Sequence, residues 1–188
     1  MLSAATAAWV VLVSTACSAD TNQEPASPGS SARPVFLDSA NTSPLIRTDF
    51  TDDDAWRAIK EQVTVPLVVS NQGSEYTADV EFVDDRRYDG LTPGQLFSLV
   101  GEPPPYYVYI ADRATMTDPE HPILAVDTGP TVDNETNYRR GDTFRLIPSA
   151  MATVEANLSI ANVDFGDYVD IAGPDGVYRE TYRGTYPR

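Results

Sequence analysis

The stretch Pro44-Leu-Ile-Arg-Thr-Asp-Phe-Thr-Asp-Asp-Asp-Ala-Trp-Arg-Ala-Ile-Lys-Glu-Gln-Val63 turns from a short β-like run into a helical stripe within a few residues. That turn sets the fold class. Residues 44–49 carry the β-forming part, and Thr51 is positioned to cap a helix whose first turn places Asp52, Asp53 and Asp54 on the positive end of its dipole. Trp56, Ile59 and Val63 recur at helical spacing and predict the buried face, with Phe50 stapling to Ala55. The Asp triplet has the look of a metal site, but its place at a helix start makes it a cap.

The same alternation of elements continues along the chain. Tyr76 to Asp84 sets Ala78, Val80 and Phe82 against Asp79 and Glu81, the period of a half-buried strand. Thr92-Pro93 opens a short helix with Leu96, Phe97, Leu99 and Val100, ended by Pro103 to Pro105. Three further strands are predicted over Tyr106 to Ala111, Ile123 to Val126 and Thr143 to Ile147. Ser149 is expected to cap a helix along Met151, Val154, Leu158 and Ala161. Asp164 is expected to cap a last one, stopped by Gly173-Pro174. The order βαβαβββαα predicts an α/β domain: one mixed sheet of about five strands, the first three parallel, covered by helices.

Outside this domain the composition changes. Met1 to Ala16 has the length and apolar character of an export leader and is too short for a membrane span. It runs into Cys17, the only cysteine, which is the expected lipid-attachment point. Ser14 stands where a lipoprotein signal carries Leu or Val, and no Lys or Arg precedes Arg33. Residues 18–43 are rich in Ser, Pro, Ala, Asn and Thr and predict a disordered tether; residues 174–188, with repeated Tyr-Arg pairs, predict a flexible tail. Charge divides the chain in the same way: minus two over 18–43, minus fourteen over 44–173 and plus one over 174–188, together the net minus fifteen. Such a field disfavours nucleic acid and favours cations or a basic protein surface.

Four blocks taken together resemble a known family: residues 45–56; Val80 to Asp85 with Tyr88 to Leu91; Ala111 to Pro122; and Asn157 to Phe165. They are similar to an uncharacterised actinobacterial family, domain of unknown function number 6924, over residues 44–172. The resemblance implies a domain boundary and carries no activity, cofactor or site residue with it. The leader, the tether and the Tyr-Arg tail depart from the family pattern.

If the first three strands are parallel, Asp49, Asp84 or Asp85, and Asp112 stand at the carboxyl ends of strands, where open α/β sheets place ligands. Those carboxylates could hold Mg²⁺ or Ca²⁺, with Asp127 as a fourth ligand. The competing reading is that Asp caps turns and helices at strand ends. His121, the only histidine, lies in a turn between prolines, and no nucleophile-elbow or phosphate-loop pattern accompanies it. Asn157, Asn162 and Asp164 read as a structural polar network. The expectation is therefore an exported, lipid-anchored, non-enzymatic domain without a cofactor, at the outer face of the membrane or secreted, binding a protein or small ligand. A metal-assisted hydrolase using the strand-end aspartates and an immunity-type protein neutralising a basic toxin are the alternatives.

Overall fold

The computed structural model describes residues 42–69, 74–100, 105–129 and 140–180. The leader, Cys17 and nearly all of the predicted tether lie outside these residues. Among them no helix is long and apolar enough to cross a membrane.

The chain begins with β1 (Ser43–Arg47), buried along its whole length, and α1 (Asp53–Val63). A small antiparallel hairpin follows, β2 (Leu67–Val69) and β3 (Ser74–Tyr76), before β4 (Val80–Val83). A 3-10 turn over Arg86–Tyr88 and the short α2 (Pro93–Phe97) lead to β5 (Tyr107–Ala111), α3 (Arg113–Thr117) and β6 (Ile123–Asp127). After β7 (Thr143–Leu146) come α4 (Met151–Ser159), α5 (Phe165–Ile171) and β8 (Val177–Tyr178). Among the described residues the main sheet has six strands in the order β4-β1-β5-β6-β7-β8. The fold is the predicted mixed α/β sheet, with one strand more than expected.

The period-2 rule explains how both faces become buried. Leu45, Tyr109, Ala111, Ile123, Ala125, Phe144 and Leu146 point to one face, where Trp56, Ile59 and Val63 of α1, Met151 and Val154 of α4, and Phe165 and Tyr168 of α5 cover them. Ile46, Val108, Ile110, Leu124 and Val126 point to the other, under Tyr88 and Leu96. The three strands expected to be parallel are so: β1 pairs in parallel with β4 on one side and β5 on the other. The chain leaves β1 over the α1 face to reach β4, then returns past β1 over the α2 face to reach β5. The carboxyl ends of β1 and β5 thus flank a topological switch point.

Several local expectations change. The side chain of Asp52, not Thr51, caps α1, accepting from the backbone N–H groups of Asp54 and Ala55. Helix α4 follows a 3-10 turn over Pro148–Ala150, so Ser149 lies inside that turn and caps nothing. The link between the predicted strands over 106–111 and 123–126, for which no helix is predicted, contains α3, held by a capping box between Asp112 and Thr115.

The tail differs most. Tyr178 is buried, and β8 adds to β7 in parallel because Tyr178 closes an aromatic cluster that also holds Tyr168 and Phe144. The Tyr168 and Tyr178 rings meet edge to face at 5.0 Å, and Tyr168 stacks on Phe144 at 5.3 Å. Arg179 then grips Glu120 and Asp175. The flexible-tail prediction therefore fails for residues 174–180, and 181–188 lie outside the described residues. At the other end, Ser43 belongs to β1 rather than to the tether.

Candidate functional site

Strand β1 ends on Arg47, and alternation puts that guanidinium on the same face as Leu45, beneath the start of α1. Only 3% of it is exposed. A buried guanidinium needs acceptors for its donors, and the chain supplies them by bending around it. Nε donates to the Asp49 carbonyl at 3.0 Å, and one terminal nitrogen donates to Asp84 Oδ1 at 3.4 Å. The other donates to the Asp52 carbonyl at 3.3 Å and to Asp53 Oδ1 at 2.7 Å. Phe50 covers it at 4.4 Å from the ring centroid, with Arg86 over the same ring at 5.0 Å.

Each strand-end aspartate has its own local task. Asp49 accepts from the backbone N–H and hydroxyl of Thr51. Asp84 takes the indole N–H of Trp56 at 3.0 Å on one oxygen and Arg47 on the other. Asp85 caps the 3-10 turn through the Arg87 N–H and pairs with the Arg87 guanidinium. Asp112 caps α3 through the Thr115 N–H and binds Arg145 with both oxygens, at 3.1 and 2.6 Å.

The structure thus places Asp49, Asp84, Asp85 and Asp112 along one edge but does not gather them. Among the described residues, no group of three His, Cys, Asp or Glu could hold a metal ion. Each carboxylate is instead taken by its own donors: Thr51 for Asp49, Trp56 and Arg47 for Asp84, Arg87 for Asp85, and Thr115 with Arg145 for Asp112. Asp127 does not join them, because β6 runs antiparallel and sets Asp127 beside Tyr107, at the start of β5. There it accepts from the Gly129 N–H at 2.9 Å. His121 sits with φ of 49° in the turn after α3, its Nδ1 donating to the Thr115 carbonyl at 2.9 Å. Asn157 donates to the Thr153 carbonyl and accepts from Asn162, while Asp164 caps α5. The two asparagines thus bind each other at the end of α4, while Asp164 acts separately at the start of α5.

Electrostatics follow the partners. The Arg47 hydrogen bond and charge hold Asp53 below the usual carboxylate range, as those of Arg87 do for Asp85. Burial alone would raise Asp112, but Arg145 and the Thr115 donors outweigh it and leave the group lowered. The outward surface of this edge remains acidic, with Asp53, Asp54 and Asp84 exposed by 75%, 84% and 43%.

Two groups escape a reading of the sequence. Arg47 reads as an ordinary rim charge because its acceptors converge only once β1, α1 and β4 have assembled. Glu155 had a signal: it lies four residues after Met151 and three before Leu158, on the apolar stripe of α4. It is 2% exposed.

The family model described as Domain of unknown function (DUF6924) matches residues 42–181. Its limits enclose β1 through β8, which places Ser43 and Tyr178 inside the domain as the sheet does. No curated protein matches the chain. With the match covering every element from β1 to β8, the chain belongs to the family of the domain of unknown function DUF6924.

Proposed function

We propose that this domain is a non-enzymatic binding module, exported and anchored through Cys17 at the outer face of the membrane. Its occupant is a protein with a basic surface, received at the carboxyl edge of the parallel strands. One observation carries this reading: Arg47 holds the inner oxygens of Asp53 and Asp84 in place while these side chains keep 75% and 43% of their surface in water. A display of carboxylates fixed on a rigid frame favours an extended complementary charge pattern over a single ion. The net charge of minus fifteen steers a basic partner toward it and repels nucleic acid.

Cross-linking in intact cells tests the partner. A cross-linked product from the wild type that disappears at high salt and in Asp53→Asn/Asp54→Asn supports the reading. A product indifferent to both removes it. Metabolic palmitate labelling of wild type and Cys17→Ser tests the anchor, and equal labelling of the two, or none in either, defeats it.

The arrangement of β4, β1 and β5 gives the hydrolase reading its one support, since Asp49, Asp84 and Asp112 do share an edge. Calorimetric titration with Mg²⁺, Ca²⁺ and Mn²⁺ separates the two readings. The binding module gives no heat at millimolar metal, whereas stoichiometric uptake lost in Asp84→Asn revives the hydrolase. A basic toxin is the narrower form of the same partner class, and a toxin-like neighbouring gene would favour it.

A further inference from the structure

The 3-10 turn over Arg86–Tyr88 stands where the chain leaves β4, on the carboxyl edge. Local bonds fix it. Asp85 caps it through the Arg87 N–H and pairs with the Arg87 guanidinium. Tyr88 is buried beneath it, and the Gly90 N–H that follows donates to the Thr48 carbonyl at 2.8 Å, which ties the turn to the end of β1. Arg86 itself is exposed, with its guanidinium over the ring of Phe50 at 5.0 Å. The second guanidinium on that ring is Arg47, at 4.4 Å, buried and bonded to four acceptors. Phe50 thus passes the rigidity of the buried arginine to the exposed one.

We propose that Arg86 reads a carboxylate on the partner, so that the surface this edge fits is basic around a single acidic side chain. This rests on the carboxyl edge receiving a basic protein, and narrows which protein it receives. Among the described residues no hydrogen bond or ion pair engages the Arg86 guanidinium, whereas Arg47, Arg57, Arg87, Arg145 and Arg179 each hold a carboxylate. Arg86 lies near Asp53 and adds its charge to the stronger pull of Arg47 on that carboxyl, but no bond joins the two.

Stacking occupies the flat face of a guanidinium and leaves the N–H donors around its rim, a fork whose complement is a carboxylate. It also fixes the fork before anything binds, so little freedom is lost on association. Arginines placed in this way are the anchors that dominate protein interfaces. A phosphate would match the fork too, but it brings more negative charge up to the exposed Asp53 and Asp84 than a carboxylate does. A uniformly basic surface, in turn, sets a cation against Arg86 and is repelled there. The residue therefore separates the cognate partner from any other polycation.

Cross-linking in intact cells with arginine variants tests this, because charge alone and the proposed contact predict opposite signs. Arg86→Ala makes the edge more acidic, so a partner that senses only charge is captured better. A partner whose carboxylate meets Arg86 is captured less, and the cross-linked product should fall about tenfold, and further in Arg86→Glu. Arg113→Ala is the control: Arg113 is exposed at the start of α3 on the same edge, holds no carboxylate among the described residues, and its loss changes the charge equally. It should leave the product at or above the wild-type yield. A product from Arg86→Ala as strong as that of the wild type, or an equal fall in Arg113→Ala, overturns the proposal. A second measurement uses the purified full chain and poly-L-lysine, which offers positive charge and no side-chain carboxylate. Arg86→Ala should bind it at least as tightly as the wild type, and weaker binding also overturns the proposal. Loss of product in Asp53→Asn/Asp54→Asn without loss in Arg86→Ala leaves the basic partner standing and removes only its carboxylate. No product from the wild type, or one indifferent to every change, removes both.

Discussion

The two edges of one sheet handle acidic side chains in opposite ways. At the carboxyl edge, Asp84 and Asp53 share Arg47 and Asp112 has Arg145; Asp53 and Asp112 are held below the ordinary carboxylate value. At the opposite, amino edge, Glu155 accepts from hydroxyl and amide donors and Asp127 from the Gly129 amide, and burial raises both, for Asp127 against the weaker pull of Arg140. The carboxyl edge is thus most secure at neutral pH and loosens in acid, while the amino edge is most secure in acid and loosens as pH rises. A binding face benefits from a rigid frame with charges fixed at neutral pH.

The largest effect should come from removing the guanidinium that organises the carboxyl edge. Arg47→Ala leaves the Asp49 and Asp52 carbonyls and the Trp56 face without their partner, and we expect a loss of about 3 kcal/mol in urea denaturation. That is the lower end of the range for broken buried pairs, because Asp53 and Asp84 keep contact with water. Arg47→Lys retains the charge but cannot reach four acceptors, and should lose roughly half as much. Equal stability of Arg47→Ala and wild type would mean the edge has no single organiser.

Asp112→Asn comes next and isolates charge from capping, since Asn caps helices as well as Asp does. The half-buried pair with Arg145 should cost about 1 to 2 kcal/mol when neutralised. Asp112 is depressed in the folded state, so its contribution is present above the ordinary 3.8 and is lost as pH falls through the lower folded value. The variant should therefore match the wild type in strong acid and fall behind it at neutral pH, in stability measured across that range. Glu155→Gln should do the opposite. It should gain on the order of 1 kcal/mol at neutral pH, and the gain should vanish as acid protonates the wild type. Parallel pH curves for the two variants would break the contrast between the edges.

Much of this arrangement is legible in the chain, and what is not has a physical reason. Trp56, Ile59 and Val63 announce the buried face of α1 by spacing alone, and helix-sized links predict the parallel trio β4, β1 and β5. Hairpin β2–β3 and strand β8 are two or three residues long, too short for alternation to show. Helix α3 does leave a trace, an Asp at its cap and Thr115 three residues on. The strand-end aspartates are correctly placed on one edge, yet their partners decide their role. No spacing rule links Arg47 to Asp84 or Arg145 to Asp112, since those contacts exist only after the sheet has formed. Tyr76 and Ser43 meet Glu155 for the same reason.

The smallest expected effect on stability belongs to the residues proposed to matter most for binding. Asp53 and Asp54 stand in the first turn of α1 with most of their surface in water, and their partners Arg47 and Arg57 have other acceptors or solvent. Exposed pairs of this kind are screened by salt and constrain the fold little. Asp53→Asn/Asp54→Asn should therefore leave the urea midpoint unchanged within error while weakening capture of a basic partner, and the weakening should shrink as salt rises. Replacing the same number of carboxylates elsewhere, as in Glu61→Gln with Glu75→Gln, should leave capture intact, because those acids lie away from the edge that Arg47 organises. If both double variants weaken capture equally, the partner senses only net charge and the carboxyl edge has no privileged place. If only the first does, the same aspartates that fill the first turn of α1 also face the partner, and the buried arginine beneath Asp53 is what keeps those two roles compatible.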